Sequence, residues 1–114
     1  MFRYYAKIDV SKSIDVFFKT PLFTEDFGNK VCLDFFLRGE PYTAVSAMVF
    51  KDMTDGTAAT HSVSMNDNSC IFTIPNVMHN VAGETTLQIV LLDDEGSILT
   101  SGLIHFEVME GCSG

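Results

Sequence analysis

Residues 75–108 read PNVMHNVAGETTLQIVLLDDEGSILTSGLIHFEV, and this stretch decides the fold. Leu87, Ile89 and Leu91 alternate with Gln88, Val90 and Leu92. After Asp93, Asp94, Glu95 and Gly96 a second row follows, Ile104, Phe106 and Val108, with His105 and Glu107 between its members. A period of two marks strands with one face against a core. An acidic glycine turn between two such rows marks a hairpin. Its acids are contiguous, whereas a calcium loop spaces its oxygens at alternate positions with a distant Glu, so the turn reads as solvated. Residues 75–81 are the one segment with helical character, because proline is favourable in a first turn. Gly83 ends it after one or two turns at most.

Working outward, the same period recurs. Tyr4, Ala6, Ile8 and Val10 form one row, and Ile14, Val16 and Phe18 a second. Val31, Leu33, Phe35 and Leu37 form a third, and Val45, Ala47 and Val49 a fourth. Cys70, Phe72 and Ile74 form a fifth. Turn residues separate the rows: Phe27-Gly28-Asn29, Arg38-Gly39-Glu40-Pro41 and Asp55-Gly56. Strands and turns at this spacing predict an all-β fold, an antiparallel immunoglobulin-like β-sandwich of about seven to eight strands. The expected organisation is a single domain over residues 1–110, with 111–114 as a tail or the start of a linker.

The chain has 114 residues, 46% hydrophobic and 19% charged, which is the composition of a folded domain and not of a disordered one. Ten Phe and three Tyr without Trp suit a β-rich core. Seven Lys and Arg stand against fifteen Asp and Glu, giving a net charge of −8, and none of the seven lies beyond Lys51. Nucleic-acid binding needs a basic patch, so no nucleic-acid partner is expected. No apolar run has the length of a signal peptide or a bilayer span, so neither export nor a membrane partner is expected. Cys32, Cys70 and Cys112 form no CxxC pair, which fits free thiols in a reducing cytoplasm.

No catalytic constellation emerges. His61, His79 and His105 fall in three different elements without zinc-ligand spacing. His105 alternates outward and reads as a surface residue. GxSxG is absent, and Cys70 sits in a core row as a small buried hydrophobe. The expectation is a protein that is not an enzyme and uses no cofactor or metal.

One feature exceeds an ordinary sandwich. The phase opposite the core rows should be mostly polar. Instead Phe17, Phe36, Met48 and Phe50 occupy it in three strands, and Val90 and Leu92 in a fourth. A covering helix or loop accounts for such residues, and so does a docking surface. These six residues are the candidate protein-docking face.

The segment KVCLDFFLRGEP, residues 30–41, carries a family resemblance. With Asn29, Val31, Leu33, Phe35, Leu37, Gly39 and Pro41 in order, a strand over residues 45–51, then Gly83, Ile89, Leu91, Asp93 or Asp94, Gly96, and a closing Phe106 and Val108, the chain resembles the N-terminal domain of phage baseplate upper proteins. The similarity runs over residues 8–108 and consists of apolar and turn positions. It implies a virion structural module, the anchoring domain of a tail, baseplate or receptor-binding-protein adaptor, made in the host bacterial cytoplasm and located in the virion. The implied partners are other phage tail and baseplate proteins, with homo-oligomers formed through downstream regions. The alternative is a glycan-binding β-sandwich, a host-recognition or carbohydrate-binding domain. Such modules use exposed aromatic platforms, and Tyr4, Tyr5 and Tyr42 as the only tyrosines, two of them near a terminus, with no Trp, count against it.

Overall fold

Two sheets face each other across one apolar core. A computed structural model describes residues 3–12, 14–24, 28–52, 58–79 and 81–110. The strands are β1 (Arg3–Asp9), β2 (Val16–Phe17), β3 (Leu22–Phe23), β4 (Lys30–Leu37), β5 (Glu40–Pro41), β6 (Ser46–Asp52), β7 (Ala58–Val63), β8 (Met65–Asn66), β9 (Ser69–Thr73), β10 (Gly83–Leu92) and β11 (Ile98–Met109). One sheet runs β1-β4-β9-β8, with β5 on β4. The other runs β2-β11-β10-β6-β7, with β3 also on β11. The 3₁₀ turn Asn76–Met78 is the helical piece expected after Pro75. The turns expected at Phe27 and at Asp55-Gly56 lie in part or wholly outside the described residues, as do 111–114 with Cys112.

The all-β sandwich is as the alternation predicts, but the sheets are mixed and not antiparallel. β1 pairs parallel with β4, and β11 pairs parallel with β2 and with β3. The cause is a crossover. After β1 the chain passes to the edge of the other sheet, forms β2 and β3 along β11, and re-enters beside β1 in the same direction.

The core rows match the sequence reading over most of their length. Tyr4, Ile8, Val31, Leu33, Phe35, Val49, Phe72, Ile74, Leu87, Ile89, Leu91, Ile104, Phe106 and Val108 are all buried. Tyr4, Phe18 and Phe106 meet at one end, with ring centroids 5.0–5.1 Å apart. Two expected core residues are outside. Val45 is exposed because the chain bends before β6 and buries Ala44 instead. Ile14 is exposed because its backbone lies against Gly102, so the strand begins only at Val16. β7 was not apparent from alternation at all.

A bulge sets the phase of β11. Gln88 pairs with Leu103 and Val90 with Thr100, so Ser101 and Gly102 together oppose Ile89. Such an insertion leaves a ladder group without its partner. The buried Ser101 hydroxyl fills the gap, accepting the Ile89 N–H at 3.1 Å and donating to the Gly102 carbonyl at 2.6 Å. Ser101→Ala leaves that buried N–H unpaired, at a cost of about 1–3 kcal/mol. Urea unfolding of the variant measures this directly.

The tight turn after β4 depends on Asp9. Arg38 and Gly39 both have positive φ, 51° and 84°, the signature of a two-residue hairpin between the paired Leu37 and Glu40. The Asp9 carboxylate accepts both of their N–H groups, at 3.2 and 2.9 Å, as well as the N–H and hydroxyl of Ser11. The Ser11 hydroxyl, followed by these backbone donors, pushes the Asp9 carboxyl down to about 2. A carboxyl with a lowered folded-state pKa stabilises above its unfolded value and loses that contribution as pH falls through the folded one. The stability difference between wild type and Asp9→Asn should therefore be constant above about pH 4 and vanish toward pH 2. Denaturant titrations across that range check it.

Candidate functional site

Registers place the outward residues on two different surfaces. On the five-stranded sheet, Arg3, Tyr5, Lys7 and Asp9 of β1 lie beside Lys30, Cys32, Asp34 and Phe36 of β4. Beyond them stand Ser69, Ile71 and Thr73 of β9. This face is charged and hydrogen-bonded. Asp34 accepts the hydroxyls of Ser69 and Tyr5. The Ser69 hydroxyl and then the Tyr5 phenol hold its carboxyl below the ordinary range, and the same bond pushes the Tyr5 phenol up.

Half of the outer face of the six-stranded sheet differs, the other half holding Glu84, Thr86, His105 and Glu107. Ser62, Met48, Val90 and Thr100 are cross-strand neighbours from β7 to β11, and Ser46, Leu92 and Ile98 form the next row. On the other side lie Thr60, Phe50, Gln88 and Leu103. Met48 is 37% exposed, Leu92 38% and Ile98 66%. A shallow groove of about 260 Å³ crosses these strands, lined by Ser46, Met48, Ser62, Val90, Leu92 and Ile98 among others. None of its lining residues is charged. At its end the hairpin turn closes as predicted, with the Asp93 carboxylate accepting the N–H groups of Glu95 and Ser97 at 2.9 and 2.7 Å.

The six residues of the predicted docking face are thus partly brought together. Met48, Phe50, Val90 and Leu92 form one patch. Phe17 shares their sheet but sits at its far edge. Phe36 belongs to the opposite sheet, half-buried beside Asp9 and Pro41. Alternation tells which face of its own strand a residue occupies and not which sheet the strand joins. Ile98 was missed because the bulge at Ser101 and Gly102 changes the phase of β11 between it and the core row, whereas Leu103 lies on the core row's side of the bulge and alternates outward from Ile104. The glycine within a strand run was the available signal.

His105 is more enclosed than expected, its side chain 11% exposed. Phe17 stacks flat on it, centroids 4.2 Å apart at 5°. Nε2 lies 3.2 Å from Asp15 Oδ2, and Nδ1 lies 3.2 Å from Glu84 Oε1 and 3.3 Å from Thr86 Oγ1. Asp15 also accepts the Leu103 N–H at 3.0 Å. That backbone donor first, and His105 second, hold the Asp15 carboxyl below its ordinary value. The cluster ties the β2 segment to β11.

Other candidate groups stay apart. His61 faces Phe72 at 6.2 Å, and His79 is buried directly after the 3₁₀ turn. Among the described residues no group of three His, Cys, Asp or Glu is arranged to hold a metal. Cys32 and Cys70 are free, and burial pushes the Cys70 thiol up to about 12, far from a reactive thiolate. The tyrosines do not share a face: Tyr4 is in the core, Tyr5 is on the charged face, and Tyr42 is half-buried with no hydrogen-bond partner for its hydroxyl among the described residues. No helix among the described residues is long and apolar enough to cross a membrane.

No protein-family model matches the chain, and no curated protein matches it. Among solved structures, the N-terminal domain of phage TP901-1 ORF48 superposes with a TM-score of 0.73, covering 96% of this chain and 100% of that one. The chain has the fold of that domain. Sequence identity to the ORF48 domain is 10%, so what the two share is architecture.

Proposed function

We propose that the chain is a structural module of a phage tail or baseplate, an anchoring domain that docks on other tail proteins through the outer face of its six-stranded sheet. Two observations of different kinds support the phage assignment. The strand and turn pattern resembles the N-terminal domain of baseplate upper proteins, and the fold is shared with the N-terminal domain of phage TP901-1 ORF48. The docking role rests on one patch: the half of the six-stranded sheet's outer face around the groove carries Met48, Phe50, Val90, Leu92, Ile98 and Leu103. The other half carries Glu84, His105 and Glu107, and the outer face of the five-stranded sheet carries Arg3, Lys7, Asp9, Lys30 and Asp34. Monomeric domains rarely leave a contiguous apolar patch uncovered without a partner for it. Non-enzymatic action, residence in the virion and oligomerisation through downstream regions belong to the same reading.

The test is incorporation into particles of the encoding phage. Met48→Asp combined with Val90→Asp should lower the content of the chain in purified particles at least about tenfold, because two desolvated carboxylates oppose docking. Ile71→Asp, exposed on the opposite sheet, should incorporate as wild type does. Circular dichroism checks that both variants fold. Equal incorporation of the two variants would end the assignment of this face.

A further inference from the structure

β2 has two residues, and it covers the edge of β11 at Ile104 and His105. So short a strand is held by few ladder bonds, and such segments open at lower cost than a central strand does. Opening bares an edge that can template another strand. Outside the ladder, the Phe18 N–H donates to the His105 carbonyl at 3.1 Å, and the Asp15 carboxylate accepts the Leu103 N–H at 3.0 Å. The imidazole of His105 is a third tie, and histidine is the side chain whose charge ordinarily changes near neutral pH.

Both ring nitrogens face carboxylates. Nε2 is 3.2 Å from Asp15 Oδ2, just ahead of β2, and Nδ1 is 3.2 Å from Glu84 Oε1 on β10. A neutral imidazole has one N–H to give, and an imidazolium has two. The Thr86 hydroxyl, 3.3 Å from Nδ1, sets the arrangement of the neutral ring. A hydroxyl donating to Nδ1 leaves the proton on Nε2, where it serves Asp15. Glu84 then faces a lone pair, and its side chain, 66% exposed, turns to water at little cost. Protonation supplies the second N–H for Glu84. It also makes the Asp15 bond charge-assisted on both sides, and such bonds are the stronger kind.

Three carboxylates border the ring: Asp15 from the β2 segment, Glu84 from β10, and Glu107 from β11 itself, opposite Glu84. Among the described residues no Lys or Arg forms an ion pair with them. Phe17 lies flat on the imidazole and shields it from water.

We infer that His105 is a proton-operated clasp on the edge of the six-stranded sheet. As imidazolium it joins Asp15 of the β2 segment to Glu84 of β10 and holds β2 closed over β11. As neutral imidazole it keeps one of the two carboxylates, and β2 opens more often. The closed arrangement binds the proton more tightly than the open one. Its extra stability is therefore present on the acid side of the histidine range and is lost as pH rises through that range. The clasp does not depend on the docking reading above.

Amide exchange of the ¹⁵N-labelled chain tests it. Protection of the Phe18 and Leu103 N–H groups, corrected for the base-catalysed chemical rate, should be at least about threefold greater at about pH 5.5 than at about pH 8. His105→Gln leaves His61 and His79 in place and should remove this difference. Glu84→Gln, an exposed change, should shrink it by weakening one arm. Equal protection at the two pH values in the wild type, a difference that survives in His105→Gln, or protection that rises with pH would overturn the inference. If His105→Gln does not fold, Glu84→Gln decides: an unreduced difference there overturns the clasp, and a reduced one supports it.

Discussion

Replacing Phe106 with alanine should cost about 3–5 kcal/mol, the range for truncating a buried aromatic ring. Phe106 is 1% exposed and touches two other rings, edge-on with Tyr4 and stacked with Phe18. The cavity cannot close easily. Tyr4 is tied through its hydroxyl to the Pro21 carbonyl at 3.2 Å, and Phe18 is held by its N–H to the His105 carbonyl at 3.1 Å. Small domains are stable by only about 5–15 kcal/mol, so the variant should be largely unfolded in mild urea. Urea titration followed by circular dichroism measures it. A loss below about 1 kcal/mol would mean that this cluster does not anchor the two sheets.

Gly102→Ala should also be disruptive, for a different reason. A Cβ at this position would stand 2.2 Å from the Ile14 carbonyl oxygen and 2.7 Å from its carbon, and both are backbone atoms. The segment over residues 14–18 must move. The Asp15 bonds to the Leu103 N–H and to His105 then break, along with the Phe17 stack on the imidazole. Overpacking costs about 1–3 kcal/mol, and in a domain of this size each kcal/mol lowers Tm by about 4–8 °C. Amide exchange should speed up at Phe18 and Leu103 in particular. An unchanged Tm with both amides still protected would contradict the close approach described here.

The core rows were legible because apolar and polar residues contrast sharply along them. Val31, Leu33 and Phe35, or Ile104, Phe106 and Val108, admit only one buried face. β7 was not legible, since Ala58, Ala59, Thr60 and Ser62 carry little hydrophobic contrast. The parallel pairing of β1 with β4 was hidden for another reason: alternation names a strand's faces and not its neighbours. The same gap put Phe36 with Met48 and Phe50 although β4 and β6 belong to opposite sheets. Of the proposed docking face, Met48, Phe50, Val90 and Leu92 came from phase alone. Ile98 needed the bulge, whose only trace in the sequence is a serine and a glycine inside an apolar run, while Leu103 follows from simple alternation with Ile104.

The central claim is that the apolar outer face of the six-stranded sheet meets another protein in the assembled particle. Photo-crosslinking tests this most directly, with a benzophenone side chain placed at Met48 or Leu92 and, as control, at Ile71 on the opposite sheet. Irradiated particles should yield crosslinks to another virion protein from Met48 and Leu92 and none from Ile71. Crosslinks from Ile71 alone, or none from Met48 and Leu92 in particles that contain the chain, would contradict the account.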